Sequence, residues 1–446
     1  MTARTFFKGL LNKVAAPVDA GRSAERRARE TIEVCRALLS ERGEVSGAAL
    51  AREVLAAYRA LPAAALKPFL QRLAVDFAPD AGAIAHCAGD FLREASPQHL
   101  HALQKSVESP RQEFFRRLNV APGATAVLVD LRRQVLRELK VSPQLAVVDA
   151  DLAHLFESWF NRGFLRLERI DWRTPAIVLE KLIAYEAVHE IAGWKDLRRR
   201  LADDRRCFGF FHPALPDEPL IFIEVALTEE VSTTVAPLLD PDAAEGDPAR
   251  AQCAIFYSIT NCQEGLRGIS FGNLLIKQVV EELSREFPRL KTFATLSPVP
   301  GLHAWLTELT RKDAALADAL APLQNNDWLQ QPATAAALQA KLMPLCACYL
   351  LRAKRESGPL DPVARFHLGN GARLDRLNWL ADTSRQGMQR AAGLMVNYVY
   401  RLDEVEQNHE AFVREGVIAA AHGLKKLARE CAPLLPAIAS RPPRDA

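Results

Sequence analysis

Apolar residues recur every three or four positions through the first third of the chain. In AERRARETIEVCRALLSERG (24–43), Ile32, Val34, Cys35, Leu38 and Leu39 oppose a face of Arg and Glu, the spacing of an amphipathic helix. The segments GAALAREVLAAYRAL (47–61), AAALKPFLQRLAVDF (63–77), QHLHALQKSV (98–107) and ATAVLVDLRRQVLRELK (124–140) continue it. Pro62, Pro79, Pro97, Pro110 and Pro122 fall in the gaps, and Pro68 marks a helix start or a kink. Residues 1–155 therefore read as a helical bundle whose outer faces suit self-association.

The pattern changes at WFNRGFLRLERIDWRTPA (159–176), which is aromatic and irregular. A boundary near 155 separates the bundle from a second domain, 156–446. Strand signals follow at 207–211, 219–228 and 254–260, then a helix over 272–287 and a strand over 291–297. Residues 236–249 lack a period and read as an exposed loop. Helical spacing returns over 303–356. The chain then shows a turn at 367–374, a patterned segment up to Tyr400, and two helices over 402–414 and 416–430. This order describes an all-α bundle followed by an α+β domain with helical insertions.

Composition narrows the function classes. The 446 residues are 49% hydrophobic and 25% charged with a net charge of +3, ordinary for a globular protein and without the footprint of a nucleic-acid binder. Eight cysteines are scattered without a CxxC pair, which argues against structural zinc and suits reduced thiols. No apolar run approaches the roughly 20 residues of a membrane span. The N-terminal MTARTFFKGLLNKVAAPVDAGR reads better as a short amphipathic helix than as a transit peptide.

Three places carry candidate chemistry. Gly265, Gly268 and Gly272 lie between a strand and a long amphipathic helix, where backbone amides can receive a phosphate. Neither a Walker loop nor a Rossmann fingerprint is present; strand, loop and helix instead resemble the pyrophosphate loop of the GNAT acyltransferase fold. Ser297, in Ser297-Pro298-Val299-Pro300-Gly301, leaves the next strand, and Pro298 biases it toward extended geometry. No GxSxG elbow occurs, which disfavours a Ser-His-Asp hydrolase. His367 sits in a turn-rich stretch, DPVARFHLGNGA, and a near-neutral imidazole there suits proton delivery. His212 is an equal candidate on local grounds. Tyr398 and Tyr400 alternate as in a strand, and either hydroxyl can orient a neighbour.

Taken together, these blocks resemble the malonyl-CoA decarboxylase family, the type that uses neither metal nor biotin. The likeness is carried by EPLIFIEVALT (218–228), AIFYSIT (254–260), QEGLRGISFGNLLIKQVVEELSREFP (263–288), FATLSPVPG (293–301), DPVARFHLGNGARL (361–374), LNWLADTSRQG (377–387) and GLMVNYVYRL (393–402). The resemblance implies a helical oligomerisation domain, often tetrameric, and a GNAT-like catalytic domain. It implies that Arg267, Gly268, Ile269, Ser270, Phe271, Gly272 and Asn273 cradle the coenzyme A pyrophosphate. It selects Ser297 and His367 as catalytic, with Tyr400 in support, and sets His212 aside. Malonyl-CoA and acetyl-CoA become the expected ligands, and a bacterial cytoplasm the expected setting. Ser270 departs from the family, because animal relatives carry a glutamate there.

Two other readings share the phosphate loop. A GNAT acyltransferase needs an amine acceptor, and an acyl-CoA sensor leaves its ligand intact. Decarboxylation of malonyl-CoA without acceptor separates both from the family's reaction.

Overall fold

Amphipathic periodicity builds the first part of the molecule. The computed structural model describes residues 3–269, 271, 275–325, 327–355 and 358–431, with side chains from residue 21 onward apart from 41–45. Its helices begin with α1 (Ala3–Leu39), α2 (Glu41–Arg59), α3 (Ala63–Asp76) and α4 (Ala81–Arg93). They continue with α5 (Pro97–Val107), α6 (Pro110–Leu118), α7 (Ala124–Glu138) and α8 (Ala146–Trp159). Pro68 lies inside α3. The apolar period does not single out α4, α6 and α8. For two of these, caps mark the start: Asp80 accepts from the Gly82 and Ala83 N–H groups, and Ser109 precedes Pro110 and accepts from Gln112 N–H.

Ile32, Leu38, Phe69, Phe114, Leu128 and Phe156 are buried among these helices. Arg111 is buried with them and pairs with Asp151, while donating to the carbonyls of Leu73 and Ala74 at the end of α3. One guanidinium thus satisfies orphan carbonyls of a helix end and neutralises a carboxylate.

The chain divides into two compact units. One runs up to Leu165 and includes His212–Pro216 and Gln263–Phe271; the other comprises Arg166–Phe211, Asp217–Cys262 and the chain beyond 271.

The second unit is built on a mixed sheet. Its elements are β1 (Arg166–Ile170), α9 (Ala176–Tyr185), α10 (Trp194–Arg200), β2 (Arg205–His212), β3 (Leu215–Thr228), α11 (Ala236–Leu239), β4 (Cys253–Asn261), α12 (Leu275–Glu286), β5 (Thr292–Thr295) and β6 (Ser297–Pro298). Then come α13 (Leu302–Thr310), α14 (Ala314–Leu320), α15 (Pro332–Arg352), β7 (Lys354–Arg355), β8 (Gly358–Pro359), α16 (Pro362–Gly369), β9 (Arg373–Asn378), α17 (Arg385–Ala391), β10 (Met395–Tyr400), α18 (Val405–Glu415) and α19 (His422–Glu430).

Sheet order is β1-β2-β3-β4-β5-β10-β6, with β9 also paired to β10. The β4–β5 pair is parallel and α12 connects it, whereas β3–β4 and β5–β10 are antiparallel. The helix α12 has five buried apolar residues, Leu275, Ile276, Val279, Val280 and Leu283, on one face.

Several expectations needed revision. Strand β1 was hidden because RLERI is charged, as edge strands often are. The strand expected over 291–297 breaks at Leu296, so β5 and β6 pair separately with β10. The turn expected over 367–374 begins later, because a helix capped by Asp361 and opened by Pro362 runs through His367 to Gly369. Helix α15 meets a membrane span in length and apolarity, which the sequence reading missed. Half of its apolar window is buried, including Leu342, Leu345 and Leu350, so it also fits a core helix.

Candidate active site

Three side chains from separate elements form a hydrogen-bonded line within the second unit. Ser297 enters from β6, His367 from the last turn of α16, and Tyr400 from the end of β10. Ser297 Oγ lies 3.0 Å from His367 Nε2, and His367 Nδ1 lies 2.8 Å from the Tyr400 hydroxyl. Ser297 donates its own hydrogen to Thr295 Oγ1 at 2.9 Å. Nε2 must therefore carry the imidazole proton and donate it to Ser297 Oγ. A neutral imidazole has one N–H, so Nδ1 accepts from Tyr400. The order is Tyr400, His367, Ser297, Thr295, each donating to the next.

The surrounding chain fixes every member. Pro298 holds Ser297 extended, and the two-residue strand pairs Ser297 with Val396. Where β5 ends, side chains replace the ladder: Tyr398 N–H donates to Thr295 Oγ1 at 3.1 Å, and Asn397 Nδ2 donates to the Thr295 carbonyl at 2.6 Å. Asn378 donates in turn to Asn397 Oδ1 at 2.7 Å. The His367 ring stacks on Tyr398, with centroids 4.5 Å apart and planes inclined by 25°. Asp361 Oδ1 accepts from the Val363 and Ala364 N–H groups and so anchors the helix carrying His367. Burial raises the Asp361 pKa, opposed by N–H groups of Ala364 and Gly301 and by the Tyr349 hydroxyl. That carboxylate therefore touches both the His367 helix and the turn after Ser297.

Ser297 and His367 line a cavity of about 250 Å³ whose other walls include Val188, Phe256, Ile259, Val363 and Phe366. The expected near-neutral histidine is not what this environment produces. Loss of hydration pushes His367 down to about 3, so the ring is neutral at pH 7. Burial drives the Tyr400 hydroxyl well above its usual range, which keeps it protonated. An uncharged donor line in an apolar cavity can stabilise a developing anion without itself being an ion pair.

This burial has a consequence for stability. Between pH 6.5 and about 3, the unfolded chain binds a proton at this histidine that the native state excludes. Stability from this group is complete above 6.5 and falls toward pH 3, with a slope of up to about 1.4 kcal/mol per pH unit. Buried His189, pushed down to about 4, acts in the same direction. Urea midpoints measured at pH 7 and pH 5 should fall less for His367→Asn than for the parent protein.

The phosphate-loop candidates up to Phe271 belong to the helical unit. Gly265 packs on α7 so closely that a Cβ would lie 2.0 Å from the Val129 carbonyl oxygen, and Gly268 has φ +83°. Both positions demand glycine. Arg132, buried on α7, donates to the carbonyls of Gly265 at 2.8 Å and Arg267 at 3.0 Å while Asp149 accepts from its Nε. Arg267 and Gly268 are exposed, whereas Ile269 and Phe271 are buried. Ser270, Gly272 and Asn273 lie outside the described residues. His212 is also in this unit: its Nε2 donates to the Trp159 carbonyl and its Nδ1 accepts from Ala214 N–H. It packs at 4.8 Å from the Phe160 ring, so both ring nitrogens have structural partners.

Comparison with known proteins decides the family. The family model for the malonyl-CoA decarboxylase C-terminal domain matches residues 163–436, and that for the N-terminal domain matches residues 77–160. The chain belongs to the malonyl-CoA decarboxylase family. It is 35% identical over 395 residues to a mitochondrial malonyl-CoA decarboxylase of Anser anser anser, covering 80% of this chain and 78% of that protein. The corresponding Rattus norvegicus protein is 34% identical over 396 residues, covering 80% of each. Among solved structures, malonyl-CoA decarboxylase from Rhodopseudomonas palustris superposes with a TM-score of 0.86 at 52% identity, covering 90% of this chain and 99% of that one. The Agrobacterium vitis structure gives 0.83 at 48% identity, covering 89% and 99%.

In this member of the family, sequence reasoning singled out Ser297, His367 and Tyr400 but missed Thr295, Asn397 and Asp361. Thr295 was within reach, because it lies two residues before Ser297 on an extended chain and shares its face. Asp361 was also within reach, since Asp-Pro before an apolar run is a helix-start pattern. Asn397 carried no sequence signal, because its importance comes from the break in the strand beside it.

Proposed function

We propose that this chain decarboxylates malonyl-CoA to acetyl-CoA and CO2 through a thioester enolate. The observation that carries this reading is the Tyr400–His367–Ser297 line opening on a small apolar cavity in a member of this family. The malonyl carboxylate would lose hydration on entering, while Ser297 turns its hydroxyl from Thr295 to the acyl group and positions it. As CO2 leaves, charge collects on the thioester oxygen, where preorganised donors lower the barrier. C2 then takes the Nε2 proton of neutral His367 while Tyr400 passes its proton to Nδ1. Water entering the cavity then gives a proton to Nε2 while Nδ1 returns its proton to Tyr400, so the tyrosinate is only transient and the starting line is restored. A neutral histidine can serve as such a donor.

Residues 267–273 are assigned to the coenzyme A pyrophosphate, and the exposed Arg267 and the glycine-bent backbone held by Arg132 suit an anion. The parallel β4–β5 pair joined through a loop and α12 supports a GNAT-like catalytic domain over 156–446. Residues 1–155 would serve self-association, with a tetramer favoured. Helices α4 and α5 carry no buried residue in the single chain, and Leu92 is 84% exposed, which suits burial against a second copy. The enzyme would work in a bacterial cytoplasm with no metal or biotin.

The test is incubation of purified protein with malonyl-CoA alone, beside a chelator-treated sample. Acetyl-CoA and CO2 should form without an amine acceptor in both. Intact malonyl-CoA after hours would favour a sensor, and turnover only with an amine would favour an acyltransferase.

A further inference from the structure

We propose that Asn261 is a further catalytic residue, donating from its side-chain amide to the thioester oxygen of the substrate. This rests on the decarboxylase reading of the same cavity. Strand β4 is irregular. Ladder pairs run Val225↔Phe256 on one side of a register shift and Glu224↔Ser258 on the other, which leaves Tyr257 as an extra residue. Such a bulge re-aims every side chain beyond it.

The faces confirm the switch. Before the bulge, Phe256 faces the site and lies 6.3 Å from the Tyr400 ring, whereas Ile255 and Tyr257 enter the core on the opposite face. After it, Ser258 and Thr260 face away and donate to buried Glu186. Ile259 and Asn261 consequently line the cavity with Ser297 and His367. Without the extra residue, Asn261 would share the face of Glu186.

Asn261 thus adds an amide to the Ser297 hydroxyl and the His367 ring, on walls otherwise made of Phe, Ile, Val, Pro and Tyr257. It is exposed at the strand end, and no hydrogen bond to another described residue holds its amide. A free N–H pair in that position matches the chemistry required. Ser297 offers the acyl group a single hydrogen and His367 is committed to C2, so the thioester oxygen has room for a second donor as enolate charge develops.

The experiment compares the parent protein with Asn261→Ala and Asn261→Asp. Asn261→Ala should lower kcat about 10²-fold or more, the scale of one lost oxyanion donor, while the acetyl-CoA Kd stays within about threefold. A kcat within about twofold of the parent, or a Kd that weakens by the same factor as kcat, overturns the proposal. Calorimetry on Asn261→Asp needs no turnover and so separates this inference from the decarboxylase reading. A carboxylate facing the acyl group should weaken malonyl-CoA about tenfold more than acetyl-CoA by like-charge repulsion. Equal weakening of the two overturns the placement of Asn261 even if the parent protein proves inactive.

Discussion

His367→Asn should retain acetyl-CoA binding and lose kcat by about 10³-fold, within the range of a positioned proton donor. Asparagine preserves a polar group near the Ser297 hydroxyl, so the substrate cradle survives while the proton for C2 does not. The pH profile distinguishes this mechanism from an ordinary imidazolium acid. Because burial holds His367 at about 3, its neutral form dominates from pH 5 upward. kcat should therefore be flat between pH 6 and 8, whereas an imidazolium donor would lose activity as pH rises through 6.5. A declining profile would assign the charged ring to the reaction. An unchanged kcat in His367→Asn would move the donor elsewhere, with Tyr400→Phe the next variant to measure.

Sequence encodes local chemistry and long-range packing to different depths. Local chemistry was legible: helical spacing, the apolar strands at 219–228 and 254–260, and the rigid Ser-Pro-Val-Pro-Gly turn all follow from neighbouring residues. His367 and Tyr400 were legible as types but not as a pair, since 33 positions separate them. Their meeting depends on β10 lying between β5 and β9, and nothing local encodes a strand order. The titration state of His367 was illegible for the same reason. Burial by Tyr398 and by the cavity walls at Val188, Phe256 to Asn261 and Ser297 comes from four distant segments, and this packing changes a near-neutral base into one that stays uncharged. The bulge at Tyr257 is the clearest limit. AIFYSITN reads as one continuous strand, yet the inserted residue turns Asn261 to the opposite face.

Ser297→Ala should fold and lose kcat by about 10² to 10³-fold, the cost of a donor aimed at developing charge. It also removes the acceptor of the His367 Nε2 proton inside a buried cavity. An unpaired buried N–H costs about 1 to 3 kcal/mol, so the urea midpoint should fall in parallel. Full turnover in a folded Ser297→Ala would remove the serine from the mechanism. The direction of the hydrogen bond bears on what kind of group Ser297 is. A serine nucleophile gives its proton to a histidine nitrogen with a free lone pair. Here Ser297 donates to Thr295 and accepts from Nε2, while the Nδ1 lone pair is occupied by Tyr400. No base stands ready to ionise the hydroxyl, so it can donate a hydrogen bond but is poorly placed to attack a thioester. Mass spectrometry of protein quenched during turnover should accordingly show Ser297 unmodified. An acyl adduct on Ser297 would reverse the assigned proton order along the entire line.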